Sequence, residues 1–140
     1  MTYNIKTESI GTFAVGLTLA NSTSISSGSA VPYAIESGTT SHGVTVASGV
    51  ITLPAGEWIV MFSLEAMTAA DHTADIYVNS LIDSNFPKIE GFGSDAQSDL
   101  NTSAIPITSS GSTTVELRVN TSSSTSYSSS SDCVIYGVKT

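Results

Sequence analysis

A chain of 140 residues with 12 acidic and 4 basic side chains, a formal net charge of −8, has the length of one domain and repels polyanions. Its cations Lys6, Lys88, Arg118 and Lys139 lie far apart in sequence, which argues against nucleic acid and against an anionic membrane as partners. One cysteine, Cys133, rules out an intramolecular disulfide and a cysteine-based zinc site within the chain.

Segment 1–11 mixes Lys6, Glu8 and several hydroxyls with the apolar side chains Tyr3, Ile5 and Ile10. It has no apolar signal core, and it is expected to be a short N-terminal arm before a single β domain over 12–140. Only 11% of residues are charged while 40% are apolar, and the polarity comes mainly from Ser and Thr, which favours strands over helices. Runs of strand length follow at 12–20, 31–35, 44–47, 50–53, 57–66, 74–81, 103–108, 113–120 and 133–139, punctuated by Gly and Ser.

Alternation assigns the faces. Val115, Leu117 and Val119 point one way while Thr114, Glu116 and Arg118 point the other, as in a half-buried strand. The runs Trp58-Ile59-Val60-Met61-Phe62 and Cys133 to Val138 have almost no polar face. Such strands need cover on both sides, one side from a second sheet and the other most simply from another copy of the chain. Two hydroxyl-rich tracts, 21–29 and 121–132, read as loops, with Tyr127 at an exposed tip available for contact.

Motifs for chemistry are sparse. The chain has no G-x-S-x-G, no H-E-x-x-H, no P-loop and no dinucleotide-binding glycine pattern. His42 sits in a polar turn between Ser41 and Gly43 and reads as a solvated loop histidine. Asp71, His72 and Asp75 could gather around a divalent ion, and Asp95, Gln97, Asp99 and Asn101 imitate the alternating oxygens of a calcium loop. The second group lacks the closing Gly and bidentate Glu of an EF-hand, and solvated turns account for both groups. Cys133, in an apolar strand, reads as a buried small hydrophobe. No cofactor, metal or catalytic residue is expected.

The order of the strand blocks resembles the C1q/TNF-like jelly rolls. Gly49-Val50-Ile51-Thr52-Leu53-Pro54-Ala55-Gly56-Glu57-Trp58-Ile59-Val60-Met61-Phe62 is similar to that family's strand, Pro-x-Gly turn and aromatic-rich strand. Ala74-Asp75-Ile76-Tyr77-Val78-Asn79-Ser80, then Thr113 to Val119, then Val134-Ile135-Tyr136-Gly137-Val138 resemble three later blocks in the same order. The chain departs from the pattern at Ser112 and Thr113, where Gly-Asp is usual, and at Cys133, near the usual Phe of the last strand.

The resemblance implies an antiparallel jelly-roll β-sandwich that assembles as a homotrimer, with Trp58, Val60, Phe62, Ile135 and Tyr136 divided between core and trimer interface. Similar small jelly rolls occur among tailed-phage virion proteins. The expectation is therefore a non-enzymatic capsid decoration, or cement, protein, made in the host cytoplasm and carried on the outer capsid surface. Tyr3, Ile5 and Ile10 would touch major capsid protein subunits. A chain that starts at its own Met1 with a short arm fits that role better than a fibre tip. The alternative is a receptor- or glycan-binding head that uses Tyr127 and the hydroxyl-rich loops. A small hydrolase built on Asp71, His72 or Asp75 is a distant third.

Overall fold

The computed structural model describes residues 12–65, 67, 72–82, 89–91, 99–102, 104–121 and 125–139. Among them there is no helix. The strands are β1 (Thr12–Thr18), β2 (Thr23–Ile25), β3 (Ala34–Ile35), β4 (Thr45–Ala47), β5 (Val50–Leu53), β6 (Gly56–Glu65), β7 (His72–Val78), β8 (Leu81–Ile82), β9 (Ile89–Gly91), β10 (Asp99–Asn101), β11 (Ile105–Ser109), β12 (Thr113–Thr121), β13 (Thr125–Tyr127) and β14 (Asp132–Lys139).

Two antiparallel sheets face each other. In sheet one β6 pairs with β14, β14 with β1 and β1 with β3, while β10 and β11 lie in succession along the other edge of β6. In sheet two the order is β4, β5, β12, β7, with β8 and β9 both on the far edge of β7. A short ribbon joins β2 to β13. The crossovers that place the first strand beside the last, and β5 beside β12, make this an antiparallel jelly roll.

Period-two alternation builds the core. Val15, Leu17, Trp58, Val60, Phe62, Leu64, Ile105, Cys133 and Ile135 point inward from sheet one. They meet Ile51, Leu53, Ala74, Ile76, Val115, Leu117 and Val119 from sheet two. Trp58, Val60, Phe62 and Ile135 are therefore core side chains, whereas Tyr136, one residue further along β14, points out of the sandwich. At one end Ser109 Oγ donates to the Leu53 carbonyl at 2.8 Å and accepts from the Gly111 amide at 3.1 Å, which ties sheet one to sheet two. At that end too the Trp58 indole donates to the Pro54 carbonyl at 2.8 Å across the turn between β5 and β6.

Two tight turns depend on positive φ. Ser48 (φ 50°) and Gly49 (φ 80°) join β4 to β5, and a Cβ on Gly49 would lie 2.2 Å from the Val31 carbonyl oxygen. Asn79 (φ 51°) and Ser80 (φ 66°) form the matching two-residue connection between β7 and β8, the twist that suits a hairpin. The expected strand over 74–81 is thus interrupted at 79–80.

The hydroxyl-rich tracts differ from their reading as loops. Thr23–Ile25 and Thr125–Tyr127 pair with each other, and Tyr127 is 0% exposed. An aromatic ring on so polar a segment is the apolar surface the segment has to bury, so it turns inward beside Ile25, which is also buried. The exposed contact expected of Tyr127 is corrected accordingly. Hydroxyls stitch the outside of this ribbon: Ser24 Oγ and Ser126 Oγ lie 3.0 Å apart, Ser22 Oγ accepts from the Ser129 amide at 3.2 Å, and Ser130 Oγ donates to Glu65.

Candidate functional site

The outer faces of the two sheets differ in chemistry. On sheet two the outward side chains of β12 and β7 form a polar set. Arg118 donates to Glu116 Oε1 from Nε at 2.9 Å and from Nη2 at 2.5 Å, its guanidinium lies 4.1 Å from the centre of the Tyr77 ring, and Asn120 donates to Asp75 at 2.9 Å. Glu116 is 4% exposed and Asp75, Tyr77, Arg118 and Asn120 are half-buried, so this face is polar and its charged groups are partnered.

The outer face of sheet one is apolar across four strands. Pro106 on β11, Ile59 on β6, Tyr136 on β14 and Ala14 on β1 form one row of paired positions. Met61, Val134 and Gly16 form the row beside it. Ile59 is 43% exposed and Tyr136 44% exposed. Glu57, Ile59, Pro106, Tyr136, Gly137 and Val138, with an edge of Trp58, line a depression of about 330 Å³ in this face.

Polar groups bound it. Thr108 Oγ1 donates to Glu57 at 2.7 Å at one end, and Ser63, Asp132 and Thr18 occupy the paired row at the other. Beside β1, the Glu36 carboxylate lies where a Cβ on Gly16 would come within 2.9 Å of it. Apolar side chains inside a carboxylate-bearing rim, on a sheet whose other face is already packed, give a surface suited to burial against protein.

Among the described residues the remaining candidates do not converge on a reaction centre. Tyr3, Ile5 and Ile10, like Asp71, Asp95 and Gln97, lie outside the described residues. The His72 backbone pairs with Gly91 and Thr121, Asp75 is held by Asn120, and the Asp99 backbone pairs with Glu65. His42 occupies a turn with φ 50°. Among the described residues no three His, Cys, Asp or Glu side chains come together as metal ligands.

Cys133 is buried, as its apolar setting predicts. Burial, with Asp132 next to it, pushes its thiol well above the usual range. Burial likewise raises Tyr33, whose hydroxyl donates to the Ser63 carbonyl at 2.7 Å, and pushes Tyr127 up to about 12.

Ile59, Pro106 and Val138 were not among the sequence candidates. Parity would have found Ile59, which must face opposite to Trp58 and Val60 in any strand. Pro106 could not be placed from sequence, because its position opposite Ile59 follows from β11 lying at a sheet edge, where a residue without an amide proton is tolerated.

No protein-family model matches the chain, and no curated protein matches it in sequence. Solved structures do match in shape. Murine APRIL in a crystal at pH 5.0 superposes with a TM-score of 0.66 at 10% identity, over 89% of this chain and 97% of that one. The globular domain of zebrafish complement 1qA gives 0.65 at 11% identity over 90% and 95%. Eiger TNF from S. frugiperda gives 0.62 at 7% identity over 90% and 91%. What the chain shares with these proteins is its fold, a C1q/TNF-like antiparallel jelly roll.

Proposed function

We propose that the protein is a non-enzymatic assembly module that forms a homotrimer through the outer face of sheet one and serves as a structural component of a virus particle, as a decoration protein on the outer capsid surface. The observation that carries the reading is the apolar row of Pro106, Ile59, Tyr136 and Ala14, solvated in a single copy. Association that covers Ile59 and Tyr136 gains the free energy of removing them from water, on the order of 1.5–3 kcal/mol for each large side chain fully buried. The fold supports three-fold assembly by its resemblance to the C1q/TNF-like jelly rolls. A trimer seated where capsid subunits meet would engage several of them at once, so that modest single contacts add up to firm clamping.

Light scattering on the purified chain is the first test, with an expected mass of about three times 14.4 kDa. Tyr136→Asp should return that mass to a single chain without loss of β signal in circular dichroism, because the side chain contributes nothing to the core. A wild-type monomer at all concentrations would refute the trimer. Co-sedimentation of wild-type trimer with undecorated capsids tests the virion role separately, and no binding to any capsid of the source virus would refute it. A receptor- or glycan-binding head built on Tyr127 has no support in a side chain that solvent does not reach.

A further inference from the structure

We infer that the depression of Ile59, Pro106, Tyr136 and Val138 is the seat of the chain's own segment 1–11, which occupies it in the free protein and competes there with a second copy. The competition rests on the trimer reading; the docking does not.

The segment joins the sheet beside the depression. Thr12 pairs with Val138, Val138 with Glu57 and Glu57 with Thr108, and Val138 and Glu57 line the depression. The next row, from Ala14 through Tyr136 and Ile59 to Pro106, supplies the rest of its apolar wall. The segment therefore starts one strand away, at the end of sheet one where the depression lies. From β1 to β11 is three strand spacings of about 4.8 Å, roughly 14 Å, whereas residues 1–11 span up to about 36 Å when extended. Gly11, next to the join, has no Cβ to oppose the reversal that returns the chain over the outer face.

The chemistry of segment and seat is complementary. The depression is apolar except for Glu57. The segment offers Tyr3, Ile5 and Ile10 to the walls and Lys6 to that carboxylate, which accepts from Thr108 Oγ1 and has acceptor sites for further donors. Charge separates the segment from a second copy as occupant. It carries one cation, Lys6, and one carboxylate, Glu8, so the net −8 of the chain resides wholly in 12–140. A second copy brings that repulsion with it. The segment does not, and its tether holds it at an effective concentration of about a millimolar or more.

The consequence is a brake on assembly. Ile59 and Tyr136 cannot be covered by the segment and by a neighbour at once, so copies associate only at concentrations where the neighbour displaces the segment. In the virion reading, capsid subunits that draw off Tyr3, Ile5 and Ile10 would uncover the row, and trimers would form on the particle in preference to free solution.

The test uses the full chain. In a Cys133→Ala background, Asn4→Cys with Thr108→Cys should be joined within one chain by a short bismaleimide about tenfold faster, or more, than Asn4→Cys with Ser37→Cys. Ser37 is exposed and follows Glu36, whose amide donates to the Gly16 carbonyl, on the other side of β1 from the depression. Equal rates for the two pairs, or products joined between chains, overturn the docking and leave the trimer standing. In Ile5→Ser/Ile10→Ser the concentration for half-assembly, read by light scattering, should fall about tenfold or more, with circular dichroism unchanged. A value that stays level or rises overturns the competition. Wild type and variant that both remain monomeric overturn the trimer reading, and the cross-link then decides the docking alone.

Discussion

Gly137 and Trp58 face each other across β14 and β6, and a Cβ at position 137 would lie 2.1 Å from the indole Cε3. The ring lies on the bare backbone of β14, so the closing strand has room there for glycine alone. Gly137→Ala should push the indole off its bond to Pro54 and destabilise the fold by about 1–3 kcal/mol, read as a lower urea midpoint with a red-shifted emission from the single tryptophan. Ser80 carries the opposite liability, holding φ 66° with a side chain present. Ser80→Gly relieves that conformation, and it should raise the melting temperature while leaving the hairpin in register. Cys133, buried and with its thiol held protonated, should resist iodoacetamide in the native protein at pH 8 and react only after denaturation.

At the scale of the elements, the ribbon of β2 and β13 depends on two inward side chains, Ile25 and Tyr127. Tyr127→Ala should cost about 3–5 kcal/mol, the range for removing a large buried aromatic, and a loss of under 1 kcal/mol in chemical denaturation would show that the ribbon is not part of the core. This ribbon is also where the sequence was least legible. Ser and Thr runs have no hydrophobic period, and pairing between Ser24 and Ser126 is decided by chain topology rather than by local preference. Where alternating or continuous apolar runs of strand length are present the reading held: 50–53 coincides with β5, and 113–120 and 133–139 match β12 and β14 to within a residue. The double-sided strands were legible as a need for cover, but the split of that apolar run into core (Trp58, Val60, Phe62) and outer face (Ile59) emerged only with the register. Asn79 and Ser80 end β7 early because a two-residue turn with positive φ needs no glycine when Asn leads it, and β-rich sequence around the turn hides the break.

For the molecule as a whole, the buried acids Tyr33, Tyr127 and Cys133 set a pH limit. Their folded-state values are raised, so the stability they contribute is complete below the unfolded values, about 8.5 for the thiol and about 10 for the phenols. It is lost as the pH climbs from there through the folded values, as the unfolded chain gives up protons that the folded chain retains. A melting temperature that is level near neutrality and declines steadily above about pH 9 is expected, and a flat profile to pH 11 would contradict the burial of these groups. Finally, Thr12 pairs with Val138 and Thr18 with Asp132, which joins the two ends of the described chain at the middle of sheet one. A ribosome must therefore release β14 before β1 and β6 acquire the strand that separates them. Until then both present open edges, a hazard for strand addition between nascent chains. Folding should accordingly be slow, on the millisecond to second scale set by distant pairings, and loss of β14 should yield insoluble protein rather than a smaller domain.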